Sequence, residues 1–387
     1  MTKSLIAMAL GTFCLGIAEF IMPGILTFVA QDLNISITDA GHLISAYALG
    51  VSFGAPIILL SVEKYQMKNV MMFLGALIIF GNILASFAPN YYTLMVARFI
   101  SGLPHGAYFG IGTIIATKLA GKSKASTAIA IMVSGMTIAN IMGVPLGTYL
   151  SNNFSWRTIF LGVGIFALLI IIGIKFFVPN IETIPVNKLS DRLKFLKHGA
   201  PWLIVGGTLA GNCGIMCWYS YISPLLLNVS GYTESALSII MVVAGLGMIS
   251  GNFISGFICD KHSPGLVASL TQASVAIFLL IIFLFAQNSV LSVVMMFLCT
   301  YCLFALSSPQ QLLIIEYSKG GEKIGGALIQ VAFNVGNAIG AFVGGLPLLA
   351  GYGYKSSALT GIPFELIGFG LLLFFHRKYE NNKEIKY

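Results

Sequence analysis

The sequence predicts an all-α membrane protein of twelve spanning helices, and three observations carry that expectation. Only 9% of the 387 residues are charged and 57% are hydrophobic, so the chain lacks the polar surface a water-facing globule needs. The apolar residues fall into runs long enough to cross a bilayer at roughly 20 residues per helix, and a dozen such runs consume most of the chain. The basic residues gather in every second break between runs. No room is left for a sizeable soluble catalytic domain. The formal charge of +8 calls for no nucleic-acid partner if topology accounts for it.

Taken in order, span 1 (4–29) follows Lys3 and has the outline of a secretory leader. Glu19 interrupts it and no small-x-small cleavage site stands out, so it is kept as a helix. Spans 2 and 3 (39–61 and 69–88) flank a polar break at Glu63-Lys64. Span 4 (92–117) is apolar apart from Arg98, and span 5 (126–150) carries Gly135-x3-Ala139-x3-Gly143 ahead of Pro145. Span 6 (157–178) opens behind Ser155-Trp156-Arg157. The longest polar stretch, Pro179–Gly199, separates it from span 7 (200–228). Span 8 (234–258) holds Gly247 and Gly256 and runs into Asp260-Lys261. Spans 9 and 10 (265–286 and 290–315) follow, the second ending at Glu316. Span 11 (323–349) carries Gly336-x3-Gly340-x3-Gly344, and span 12 (356–376) has Glu365 at its middle. Several runs are rich in Val, Ile and Phe, but they exceed strand length, and open sheet edges are not tolerated in lipid.

If the N-terminus is cytoplasmic, 18 of the 21 basic residues fall in the cytoplasmic segments, leaving Arg157 and Lys355 outside and Arg98 within a span. That asymmetry predicts a multi-pass protein of the bacterial inner membrane with both termini in the cytoplasm. The polar stretch after six spans reads as a linker at 181–198, joining bundles at 1–180 and 199–387. An internal repeat supports the division. Gly50 precedes Glu63-Lys64 by the same thirteen residues that separate Gly247 from Asp260-Lys261, and spans 5 and 11 share one small-residue spacing. Small residues every four positions let helix backbones approach closely in lipid.

These residues resemble a known family. Gly247-x8-Gly256-x3-Asp260-Lys261 resembles the signature loop of the major facilitator superfamily, and Gly50-x8-Leu59-x3-Glu63-Lys64-x3-Lys68 is similar to its N-terminal copy, with Leu59 replacing the second glycine and Gln66 standing where glycine is usual. Leu94-x3-Arg98-x3-Gly102 resembles the superfamily's span-4 motif, and the glycine run ending at Pro145 its exporters' span-5 motif. Gly16-Ile17-Ala18-Glu19-Phe20, Pro104-His105-Gly106 and Phe333-Asn334-x-Gly336 resemble the arabinose-efflux-permease-like group of the drug:proton antiporter branch. The resemblance implies two pseudo-symmetric six-helix bundles around a midplane cavity that opens alternately to each side. It implies proton coupling through Arg98, and gating through the signature-loop residues Gly50, Glu63, Lys64, Gly247, Gly256, Asp260 and Lys261.

Charged groups inside a membrane cost a few kcal/mol each even on permissive scales, so they need a reason. Glu19 and Arg98 lie at comparable depth in spans 1 and 4. A carboxyl group can be neutral when desolvated and ionised when a cation or solvent approaches, whereas a guanidinium stays charged. Glu19 is therefore the expected proton carrier, Arg98 the fixed charge and His105 the candidate relay, with a plain bond to a neighbouring helix as its alternative. A permanent Glu19–Arg98 pair that merely orders the bundle is the alternative. Glu316 reads as an ordinary helix-end carboxylate, and Glu365 has no assigned role.

The uncharged polar candidates for binding substrate are His42, Tyr47, Tyr108 and Asn140 in the N-terminal half. Asn212, Trp218, Tyr219, Gln310, Gln311, Gln330, Asn334 and Asn337 are those of the C-terminal half. Amides and rings converging from both bundles suit a sugar-like or mixed polar and apolar molecule; interhelical bonding is the alternative for any one of them. The cysteine pairs Cys213-x3-Cys217 and Cys299-x2-Cys302 lack the His or carboxylate company of a metal site, so neither metal nor cofactor is expected. No nucleophile, base and orienting group cluster at one membrane face, which makes an enzyme the least favoured class. The expected function is export of a small organic molecule by proton antiport, with substrate, protons and lipid as partners and a monomer sufficient. Proton symport or facilitated uptake, and a non-transporting sensor, are the rivals.

Overall fold

The computed structural model describes residues 2–62, 65–121, 124–181, 189–259 and 261–381. Glu63, Lys64 and Asp260, three of the expected gating residues, lie outside the described residues. Among the described residues twelve helices are long and apolar enough to cross a membrane. They are α1 (Thr2–Leu33), α2 (Ile37–Ser61), α3 (Met67–Ser86), α4 (Tyr91–Ala120), α5 (Thr127–Asn153), α6 (Arg157–Phe177), α7 (Gly199–Asn228), α8 (Glu234–Cys259), α9 (Pro264–Phe285), α10 (Ser289–Glu316), α11 (Ile324–Leu349) and α12 (Ser356–Glu380). Every expected span appears, because lipid leaves a spanning segment no way to satisfy its backbone except a helix. Short polar turns set the helix starts. Ser36, Asn90, Ser263 and Asn288 each accept a backbone N–H three residues on, capping α2, α4, α9 and α10.

Five helices are interrupted within their length, and proline accompanies four of the breaks; the exception is α6, which divides at Ala167 into Arg157–Phe166 and Leu168–Phe177 with no proline. α4 divides into Tyr91–Gly102 and Pro104–Ala120, and α7 into Gly199–Tyr219 and Ile222–Asn228, with Pro224 just past its break. α10 divides into Ser289–Ala305 and Ser307–Glu316, with Pro309 beyond its break. In α5 the stretch Ala139–Gly143 forms a π turn, the Val144 N–H donating five residues back to the Ala139 carbonyl. Pro145 cannot supply the next amide, and a widened turn absorbs the mismatch.

The pairing of helices repeats. In the first six, α1 packs on α5, α2 on α4 and α3 on α6; in the last six, α7 packs on α11, α8 on α10 and α9 on α12. The two halves meet through α2 against α11 and α5 against α8, a pair of seams that the same repeat exchanges. The glycines explain how the backbones come so close. A side chain on Gly135 would strike the Ala9 carbonyl of α1, and one on Gly340 the Cys213 carbonyl of α7. Ala139 and Gly143 extend the first contact along α1, and Gly336 and Gly344 the second along α7.

The glycines expected at the gate sit at unlike contacts in this conformation. Gly50 faces the Phe99 carbonyl of α4 and Gly247 the Phe297 carbonyl of α10, so both serve contacts inside a half. Gly256 faces open space, and Lys261 is exposed just beyond α8.

Candidate functional site

A cavity of about 970 Å³ lies between the halves. It opens on the face where the linker runs, with Tyr65, Arg192 and Glu322 lining it there, and it narrows toward Glu19. Leu193 and Leu196 of the linker also line the mouth. On the opposite face the halves are sealed. Ser45 of α2 donates to the Ala338 carbonyl of α11 (2.8 Å), Thr27 of α1 meets Ser223 of α7 (3.2 Å), and the His42 ring stacks on Phe342 (5.1 Å).

Glu19 is placed on α1 one turn before Pro23, which has no N–H to offer the Glu19 carbonyl. The break in α4 sets His105 on the second residue of its new segment. Its Nε2 lies 3.7 Å from Glu19 Oε2, and its Nδ1 lies 3.0 Å from the Tyr47 hydroxyl. Phe109 stacks on the other side of the imidazole at 5.2 Å.

Arg98 is completely buried, and the direct Glu19–Arg98 pair is not what the structure contains. Its guanidinium donates to the carbonyls of Ala18 (2.6 Å) and Leu43 (3.3 Å) and lies over the Tyr47 ring, 4.5 Å from the centroid. Among the described residues the ion-pair contact to Glu19 comes from His105. Equal depth along two helices fixes neither the side of the helix nor the neighbour; here the guanidinium turns to backbone carbonyls and to the Tyr47 ring of α2.

The other expected residues divide by position. Asn212, Gln311, Gln330, Asn334 and Asn337 line the cavity, all from the C-terminal half. Tyr47 and Tyr219 border a small void that continues from Glu19 toward the sealed face, beside Pro23 and Ile44. Five candidates lie away from the cavity in this conformation. His42 belongs to the seal, its Nδ1 3.3 Å from the Tyr91 hydroxyl. Tyr108 is buried inside the N-terminal half and donates to the Met8 carbonyl (3.2 Å). Asn140 packs beside Gly245 at the α5–α8 seam, and Trp218 and Gln310 are buried in the C-terminal half. Their side-chain polar atoms, like those of Asn140, have no hydrogen-bond partner. Glu365 is also buried, packed against Gly214 of α7 with both oxygens unpartnered, away from the cavity; Glu316 is exposed at the end of α10.

Sequence reasoning missed the aromatic part of the wall, Phe20, Phe109, Phe304 and Phe333, and the amide Asn252 on α8. Phe20 and Phe304 meet across the halves at 5.5 Å. Asn252 carried a usable signal, being an amide in an apolar run one residue after Gly251. Phe20 and Phe333 stood in the family-like motifs, but Phe109 and Phe304 carried no signal among the 28 phenylalanines of the chain.

Residues 8–327 match the Major Facilitator Superfamily. AraJ of Escherichia coli strain K12, a protein named as a transporter, is 42% identical over 97% of this chain and 96% of its own. The inner membrane transport protein YdhP of the same strain is 32% identical over 96% of this chain and 95% of its own. A Helicobacter pylori (strain P12) protein named "Probable sugar efflux transporter" is 25% identical over 87% and 86%. A solved bacterial homologue of the human lysosomal transporter Spinster, inward-facing and unoccupied, superposes with a TM-score of 0.77 at 15% identity, covering 98% of each chain. The repeated helix pairing, the cavity between the halves and these matches over nearly the whole length lead to one conclusion: the chain belongs to the Major Facilitator Superfamily and is a twelve-helix membrane transporter.

Proposed function

We propose that the protein exports a small organic molecule in exchange for protons, by alternating access. The observation that carries this reading is the placement of Glu19, a carboxyl at the closed end of a cavity open to one face only, in contact with His105 and with a buried arginine close behind. With both termini in the cytoplasm, as the basic residues favour, the open face is the cytoplasmic one. Substrate enters from there, between the amides of the C-terminal half and the aromatic rings. The seal then opens, Glu19 takes a proton from outside, and the return of the mouth to the cytoplasm releases it. Residues 1–180 and 199–387 act as the two rocking bodies and 181–198 as the strap between them, within a single monomer.

The cavity volume lies at the upper end of the range for small-molecule sites, and a wall of carboxamides and aromatic rings suits a sugar-like or a drug-like molecule. The name of the Helicobacter relatives favours the first. A thermal-shift panel of sugars and amphiphilic drugs on the purified protein at two pH values tests the reading, followed by flux of the hit in liposomes under an imposed proton gradient. A ligand bound less tightly at acid pH and driven against the proton gradient supports antiport. Co-directional flux, or flux indifferent to the gradient, replaces it with uptake by symport or facilitated diffusion.

A further inference from the structure

One side chain touches both the buried arginine and the histidine that contacts the Glu19 carboxyl. Tyr47 is 1% exposed. Its ring face receives the Arg98 guanidinium at 4.5 Å, its edge meets the His105 ring in a T-shaped contact at 6.1 Å, and its hydroxyl lies 3.0 Å from His105 Nδ1 and 3.4 Å from the Leu15 carbonyl. We propose that Tyr47 is a positioning residue for proton coupling, holding His105 so that Nε2 faces Glu19 while its ring accepts the Arg98 charge.

A phenol can donate only one hydrogen bond, and this one has two acceptors in reach. When the hydroxyl donates to His105 Nδ1, the neutral imidazole carries its proton on Nε2 and presents a donor to Glu19, which matches an ionised carboxylate. When it donates to the Leu15 carbonyl, Nδ1–H donates to the phenol oxygen, and the bare Nε2 presents an acceptor, which matches a protonated carboxyl. Uptake of one proton links the two: the Nε2 proton passes to Glu19, the phenol proton passes to Nδ1, and the incoming proton replaces it on the phenol oxygen, turned to the Leu15 carbonyl, so that His105 partners either state of Glu19 and ends neutral. The ring does the complementary work. Arg98 shares its charge between two carbonyls and a π face and stays out of a direct pair that would hold Glu19 ionised throughout the cycle.

The groups facing this cluster are few. His105 and Arg98 come from α4 and Tyr47 from α2, while Tyr219 of α7 and Asn337 of α11 face Glu19 across the small void. The other ionisable side chains described along the main cavity are Tyr65, Arg192 and Glu322, at its mouth.

The inference rests on Glu19 being the proton site, and its test needs no substrate. Dicyclohexylcarbodiimide modifies protonated carboxyls in apolar surroundings, so labelling of Glu19 in the purified full-length protein, read by mass spectrometry across a pH series, reports its protonation. Tyr47→Phe keeps the ring over Arg98 and removes only the hydroxyl. It is expected to move the labelling midpoint by about one pH unit or more, a tenfold change in proton affinity. His105→Gln is expected to move it similarly, and the double variant no further, since the two residues act as one unit. An unchanged midpoint in Tyr47→Phe, or shifts that add in the double variant, overturns the role given to Tyr47 alone. Wild-type labelling that does not depend on pH overturns the proton-coupling reading and this inference together. Equal melting temperatures of the wild type and Tyr47→Phe establish that the hydroxyl, and not the fold, is being read.

Discussion

At the scale of single residues, the site shows how a membrane protein keeps a permanent charge without spending it on a salt bridge. Two Arg98 nitrogens donate to backbone carbonyls and the guanidinium lies over an aromatic face, while Nη2 has no hydrogen-bond partner; in the proposed cycle this leaves the Glu19 carboxyl to gain and lose its proton. Replacing Glu19 by Gln removes the ionisable group at nearly constant volume. Proton-driven flux of the ligand found in the thermal-shift panel is then expected to fall by about a hundredfold or more, with melting temperature unchanged; full proton-dependent flux in that variant would refute the role of Glu19. Both charges were legible in the sequence because an intramembrane charge is expensive wherever it stands. The company they keep was not. Which side of α4 carries His105 depends on the break between Gly102 and Pro104, and Tyr47 stood out only as a polar group for substrate, with nothing in the sequence to place it against Arg98 and His105.

At the scale of elements, helix lengths follow from bilayer thickness, and the expected spans coincide with the twelve helices to within a few residues at most ends. The interruptions in α4, α5, α7 and α10 escaped notice, because proline in a membrane helix signals a break only when its neighbours determine how the freed carbonyl is satisfied. The glycine motifs were legible as motifs, yet their work differs from position to position. Gly247 touches the α10 backbone, whereas nothing approaches the place where a side chain on Gly256 would stand. Gly247→Val is therefore expected to cost about 2 kcal/mol or more through overpacking, and Gly256→Ala to stay within about 0.5 kcal/mol. Thermal melts of the two variants in one detergent decide it; equal losses would mean that the α8–α10 contact is looser than the structure has it.

At the scale of the molecule, the cavity opens to one face because the α2–α11 and α5–α8 seams are closed toward the other, and transport requires that seal to open. The facing hydroxyls of Thr27 and Ser223 (3.2 Å apart) mark a point where it can be locked. Oxidation of a Thr27→Cys, Ser223→Cys double variant is expected to stop flux while leaving binding from the open face intact, with recovery on reduction; flux that survives complete cross-linking would exclude rocking of the halves at this seal. The repeated pairing has a further consequence, for synthesis. The contacts of α1 with α5, α2 with α4 and α3 with α6 lie entirely within the first half of the chain, so all three can form while the rest is still on the ribosome. What must wait are the seam faces of α2 and α5, which meet their partners only when α11 and α8 emerge. A chain ended in the linker is expected to insert and resist protease as a folded half, with Ser45 and Asn140 turned toward lipid until the second half arrives.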